Sequence, residues 1–247
     1  MSLPPRPILI VKTGTTLPEI NQARGDFEDW IAARLGWPAA DVRVVDVYSS
    51  ERAHESLPDP QSVAGIVVTG SGAMVSHRES WSEATAQWLA AATRTQTPCL
   101  GICYGHQLLV HALGGKVGPT PGGREMGTLE VKLDAPSLVD DPLLGDLPSS
   151  TSFQVTHVES VLELPKGVLR IGTTELDGNH AFRLGTSVWG IQFHPEFDAD
   201  VMRRYIQARR EILLSEGFDP DAMQSAIEET PHGDAVLERF GSLVASR

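Results

Sequence analysis

The segment from Pro98 to Gly115 constrains the fold most. An apolar run enters Gly101-Ile102-Cys103-Tyr104-Gly105 and leaves as His106 to Leu113, followed by Gly114-Gly115. Glycines two before and two after a central residue let a strand turn sharply into a helix, because no Cβ obstructs the crossing of the two elements. The segment predicts a strand over Pro98 to Ile102, a turn at Cys103, a helix beginning near Gly105, and a glycine C-cap after Leu113.

The rest of the chain repeats that alternation. Ile8 to Val11 predicts a first strand, and Pro18 to Leu35 carries Ile20, Ala23, Phe27, Trp30, Ile31 and Leu35 at helical spacing, with Gly36 and Pro38 as stop signals. Strands are expected at Val42 to Val47 and Gly65 to Thr69, and a helix at Trp81 to Thr93. Beyond Lys116 the texture is strand-rich: Thr128 to Leu133, Ser152 to Val158, Val168 to Thr173, His180 to Leu184 and Ser187 to Phe193. These strands are expected to extend the sheet and cover one side of a cleft. Val201 to Leu214 predicts a helix, and Gly217 to Pro220 sets off an acidic tail, from about residue 215, of one or two short helices. The pattern predicts an α/β fold with an open, mostly parallel sheet flanked by helices. With no repeat, low-complexity tract or linker in 247 residues, a single domain over 1–247 is expected.

Charge and cysteine usage exclude several classes. Asp and Glu number 32 against 20 Lys and Arg, for a net charge of -12, and no basic run offers a footprint for a phosphate backbone or an anionic bilayer. No nucleic-acid or membrane partner is therefore expected. Cys99 and Cys103 are the only cysteines, too few to staple the fold or to complete a zinc site of the usual cysteine spacing. The start, up to the short run Ile8 to Val11, is too brief for the apolar core of a secretory leader, and no stretch reaches the length of a membrane span. A reducing cytoplasm is the expected location.

Three segments carry candidate chemistry. At an elbow, Cys103 would sit at a helix N-terminus, where free amides and the macrodipole favour a reactive thiolate, and the Tyr104 amide would point at the same spot. The alternative is a small buried hydrophobe, which is the better reading of Cys99 inside its strand. A thiol nucleophile needs a base and the base an orienting group. His194 follows a strand directly, Pro195 restricts its backbone, and Glu196 can reach back to the ring nitrogen turned away from the thiol. Thr69-Gly70-Ser71-Gly72-Ala73 leaves another strand as a small-residue loop whose amides can approach an oxyanion. A dinucleotide fingerprint is the rival reading, but its third glycine is Val75 here and the loop does not follow the first strand. All three segments follow strands, so they converge at one carboxyl edge.

Pro98 to Val117, Gly190 to Phe197 and the Thr69 loop together resemble the class I glutamine amidotransferases that use a Cys-His-Glu triad, above all stand-alone proteins similar to the amidotransferase domain of GMP synthase. The likeness runs from about Ile8 to Ala208 and implies a flavodoxin-like sheet. Carried over, it implies Cys103 as nucleophile, His194 as base, Glu196 as its orienting residue, Gly70, Ser71 and Tyr104 at the oxyanion positions, and Gln107 as a glutamine contact. Ser152 to Val161 resembles the segment that grips the amino-acid end of glutamine through main-chain groups, with His157 and Glu159 at positions where the family often has His and Asp. Where GMP synthases have Gly-Gly-Pro, this chain has Gly70-Ser71-Gly72. The implied reaction is glutamine hydrolysis through a cysteinyl thioester, without metal or cofactor. Only 51 residues follow Glu196 and no Gly-x-x-x-x-Gly-Lys-Ser/Thr loop is present, so the ammonia is expected to pass to a separate synthetase partner. A γ-glutamyl peptidase or hydrolase using the same triad on other γ-glutamyl amides is the alternative. A catalytically silent binding protein of the same fold is the third.

Overall fold

The computed structural model describes residues 6–50 and 52–247; residues 1–5, part of the stretch weighed as a leader, lie outside them. The first half of the chain is βα alternation. In order come β1 (Ile8–Lys12), α1 (Pro18–Arg24), α2 (Phe27–Arg34), β2 (Val42–Asp46), β3 (Gly65–Val68), α3 (Ser80–Ala92), β4 (Cys99–Ile102) and α4 (Tyr104–Ala112). The second half is β5 (Lys116–Pro119), β6 (Glu125–Leu133), α5 (Ala135–Leu138), β7 (Ser150–His157), β8 (Glu159–Glu163), β9 (Leu169–Thr173), β10 (Ala181–Leu184) and β11 (Val188–Ile191). Four helices close the chain: α6 (Ala199–Ala208), α7 (Arg210–Ser215), α8 (Pro220–Ser225) and α9 (His232–Ala245).

Among the described residues, nine strands form one sheet in the order β2-β1-β3-β4-β11-β10-β9-β6-β7. The five strands from β2 to β11 pair in parallel, and from β11 outward every pairing is antiparallel. The predicted open sheet with helices on its faces is present, and the later strands extend it as expected. Side chains of a strand alternate between faces, and here both faces are covered. Ile8, Ile10, Val67, Leu100 and Ile102 pack with Leu35, Phe240 and Val244, while Leu9, Val11, Ile66 and Val68 pack with Leu89, Leu108 and Leu109.

Four differences from the sequence reading have local causes. The helix expected over Pro18 to Leu35 is two helices. Gly25 takes φ +83°, and the Asp26 carboxylate caps α2, accepting from the Phe27 amide at 2.9 Å and the Thr16 amide at 2.8 Å. Asp26 also pairs with Lys12 at 2.8 Å, tying the break to the end of β1. The helix expected over Val201 to Leu214 is likewise divided, at Arg209. Strands β5 and β8, too short and irregular to show period-2 alternation, pair only with each other among the described residues. The acidic tail is no appendage: α9 spans 14 residues and buries Val236, Leu237, Phe240 and Val244. A Cβ on Gly241 would stand 1.9 Å from the Leu35 carbonyl oxygen, so this helix lies directly against the chain leaving α2.

The parallel strands bring their carboxyl ends together. Gly101 of β4 lies opposite Gly190 of β11, so Cys103 and the residues after β11 leave the sheet side by side. Thr13, just past β1, donates from its hydroxyl to the Thr69 carbonyl at 2.9 Å and fastens the end of β3. The His194 amide donates to the Gln154 carbonyl at 2.8 Å, which sets β7 against the same edge. No helix of the described residues is long and apolar enough to cross a membrane.

Candidate active site

The elbow is built by close packing. A Cβ on Gly101 would stand 2.4 Å from the Gly105 carbonyl oxygen, and one on Gly105 would stand 2.4 Å from the Val68 carbonyl oxygen. Strand β4, helix α4 and strand β3 therefore cross where only glycines fit. Between the glycines Cys103 takes φ +50° and ψ -102°, a region that L-residues seldom occupy, and serves as N-cap of α4. The helix begins at Tyr104, one residue earlier than the sequence suggested. The Tyr104 amide is thus the first of the helix and has no carbonyl one turn behind it. Its phenol is anchored by a 2.6 Å hydrogen bond with the Ser82 hydroxyl.

His194 and Glu196 stand where predicted, beyond β11. His194 Nδ1 donates to Glu196 Oε1 at 2.8 Å, both side chains are buried, and the imidazole stacks on Phe197 with centroids 4.2 Å apart. That bond leaves Nε2 as the working nitrogen, and Nε2 is buried without a hydrogen-bond partner among the described residues. Gly70 lies beside both this ring and Cys103: a Cβ there would be 3.0 Å from His194 Cε1 and 3.8 Å from Cys103 Cβ. Burial alone would strip the proton from His194. The Glu196 carboxylate and the Cys103 sulfur outweigh it and raise the imidazole to about 10. A thiol, an imidazole and a carboxylate in series can move a proton off sulfur and return it to a leaving group.

Ser71, Cys103, Tyr104, Gln107 and His157 line one narrow cleft. Ser71 Oγ accepts from the Ala73 amide at 3.1 Å, so the hydroxyl shapes the loop. Glu159 accepts from the Ser76 amide at 3.3 Å and also bonds the Ser76 hydroxyl, fastening that loop to β8. Two expected substrate contacts line the cleft and also have partners inside the protein. Gln107 Nε2 donates to the Glu159 carbonyl at 2.7 Å and to Gln192 Oε1 at 3.0 Å. His157 faces the Glu159 carbonyl at 3.0 Å through Nδ1 and Glu125 Oε2 at 3.1 Å through Nε2. Cys99 is fully buried in β4, and burial pushes its thiol up to about 12.

Sequence reasoning passed over three kinds of residue here. Gln192 Nε2 donates to Cys103 Sγ at 3.4 Å, although Gln192 stands in the very segment that holds His194. Arg124 and Arg209 also line the cleft. Arg124 is neutralised by Glu216, with two bonds of 2.7 and 3.0 Å, whereas Arg209 has no carboxylate within ion-pair distance among the described residues and its buried Nε has no partner. Burial and the neighbouring Arg124 charge push the Arg209 guanidinium down. In sequence both arginines look like ordinary surface charge. The last are Glu125, Asp177 and His180, which join His157 in a buried network whose donor atoms lie within 4.8 Å of one another. Imidazoles and carboxylates are chemically suited to a divalent cation. Here they close on each other, His180 Nδ1 lying 3.2 Å from Asp177 Oδ2 and His157 3.1 Å from Glu125. Burial resists ionising Glu125 and Asp177, but the bonds from His157, Thr174 and His180 prevail and hold both carboxyls below their ordinary values.

Comparison with known proteins agrees with this architecture. Residues 23–212 match the class I glutamine amidotransferase family. Among curated relatives, a glutamine-hydrolysing GMP synthase of Porphyromonas gingivalis is 38% identical over 160 residues, which is 64% of this chain and 30% of that protein. The chain thus spans about a third of the length of that relative. Gamma-glutamyl peptidase 3 of Arabidopsis thaliana is 26% identical over 175 residues, 70% of each chain. Among solved structures, a glutamine amidotransferase of Thermotoga maritima superposes with a TM-score of 0.72 at 19% identity, covering 98% of this chain and 99% of that one. With a family match over most of its length, the chain belongs to the class I glutamine amidotransferase family.

Proposed function

We propose that the protein hydrolyses the γ-amide of glutamine through a γ-glutamyl thioester on Cys103. The observation that carries this reading is the buried His194–Glu196 pair beside a cysteine held at positive φ on a helix N-terminus. The Cys103 thiolate adds to the carboxamide carbon. Amides of Tyr104 and Ser71, the latter beside Gly70, stabilise the tetrahedral oxyanion. The C–N bond breaks, and the proton on His194 leaves with ammonia. Water then adds to the thioester, His194 takes its proton, and glutamate departs with the sulfur restored as thiolate. Every step uses side chains and amides of this chain alone. The ammonia would pass to a separate synthetase subunit.

A second reading has its own support. Arg209, half-buried in the cleft without an acidic partner among the described residues, suits a substrate bearing a carboxylate, and the likeness to the Arabidopsis peptidase covers equal shares of both chains. In that reading the thioester forms on other γ-glutamyl amides and no acceptor subunit is needed. Assaying ammonia from glutamine and glutamate from γ-glutamyl dipeptides decides between the two. Glutamine turning over at least as fast as the dipeptides supports the amidotransferase reading, and the reverse order supports the peptidase. Turnover of neither, with or without candidate synthetase subunits, overturns both.

A further inference from the structure

We propose that Gln192 is a catalytic residue of this site, whose side-chain amide donates to the Cys103 sulfur and holds the thiolate in place for attack. The inference rests on Cys103 being the nucleophile. It starts from a fixed point, the Glu159 carbonyl oxygen, which can only accept. The Gln107 group facing that oxygen at 2.7 Å must therefore be its NH2, which offers a second hydrogen to the Gln192 side chain at 3.0 Å. That contact requires the Gln192 oxygen on the Gln107 side and turns the Gln192 NH2 toward sulfur, 3.4 Å away. A main-chain carbonyl thus sets the orientation of two buried amides in sequence, and the last of them meets the reacting atom. Gln107 becomes a positioning residue acting through Gln192, which accounts for its amide nitrogen being engaged inside the protein.

The chemistry favours a donor here. A hydrogen bond to an anion is worth more than one to its neutral form, so an amide aimed at sulfur stabilises thiolate over thiol. Gln192 is fully buried and its main-chain amide is bonded to the His180 carbonyl at 2.8 Å, so the side chain is carried on fixed backbone. The donor approaches from within the protein, and the thiol also lies 3.9 Å from the Thr156 carbonyl. With those directions occupied, the sulfur is steered toward the cleft and His194.

The test uses alkylation by iodoacetamide as a function of pH, which reads the thiolate without any substrate. Cys99 is fully buried, so the signal belongs to Cys103, and Cys103→Ala supplies the blank. In Gln192→Leu the midpoint of the alkylation profile is expected to move up by about one pH unit, in line with loss of one charge-assisted bond. Gln107→Leu should move it the same way by less. Gln192→Glu keeps the size and the bond from Gln107 but brings an acceptor to sulfur, and should move it further than Gln192→Leu. If Gln192→Leu does not give a cooperative melt, Gln192→Glu decides. An unchanged midpoint in the folded variants overturns the role of Gln192. A wild-type Cys103 that is not alkylated at any pH overturns the nucleophile assignment instead.

Discussion

His194 and Glu196 are two residues apart, yet their buried side chains meet in a 2.8 Å hydrogen bond from Nδ1 to Oε1. Pro195 between them fixes the backbone so that a carboxylate two positions on can turn back to the ring. The bond selects the tautomer and holds the imidazolium proton. Glu196→Gln removes the charge and keeps the shape. It is expected to lower kcat by up to about 10⁴-fold, the loss seen when the orienting carboxylate of a triad is neutralised. The His194 ring should then titrate below its wild-type value of about 10, which NMR of the imidazole checks.

Stability in acid should depend on Glu125 and Asp177. Both carboxyls are held below their ordinary values in the folded protein. A depressed folded pKa stabilises above the unfolded value and is lost as pH falls through the folded one. These two carboxyls should therefore give a stabilisation that is constant from neutral pH to about pH 4.5 and lost below it, while the buried imidazoles of His106 and His180, held below their ordinary values, lower the melting temperature as pH falls below about 6.5. Glu125→Gln should lower the melting temperature at pH 7 and flatten the acid limb.

The glycines of the elbow should be more sensitive than any side chain near them. Gly105→Ala puts a Cβ 2.4 Å from the Val68 carbonyl oxygen, and neither backbone can yield without moving β3 or α4. We expect a loss of about 1–3 kcal/mol or more in denaturant unfolding. Substitution of Gly72, whose Cβ would meet nothing within 4 Å, should cost far less and serves as the control.

The elbow and the segment around His194 were legible from sequence because their chemistry is local. Glycine spacing, a strand before and a helix after determine where Cys103 goes, and His194, Pro195 and Glu196 are consecutive. What sequence did not show depends on distant partners. In sequence the tail reads as one or two short helices, since the core that Phe240 and Val244 join is built by strands distant in sequence. The break at Gly25-Asp26 is set by Lys12 and Thr16 as much as by the glycine. His157 lines the cleft, and the Glu125 carboxylate that holds its ring comes from 32 positions away. Arg209 occupies an amphipathic run in which one guanidinium turned into a cleft looks no different from those in water.

Arg209 should govern substrate affinity rather than the chemical step. Arg209→Ala is expected to raise KM for carboxylate-bearing γ-glutamyl substrates by about tenfold, with a smaller change in kcat. Comparing a γ-glutamyl dipeptide with its C-terminal amide shows which carboxylate is held. A wild-type preference for the free acid that vanishes in Arg209→Ala assigns the distal one, and an equal loss on both assigns the α-carboxylate.

The most direct test is mass spectrometry of the Cys103 peptide after acid quench of enzyme turning over glutamine or a γ-glutamyl dipeptide. The account predicts a γ-glutamyl adduct on Cys103, increased in amount by substitutions that slow thioester hydrolysis more than acylation, and no turnover in Cys103→Ala that melts like wild type. Turnover that persists in Cys103→Ala, or turnover by wild type with the adduct on another residue, would contradict it.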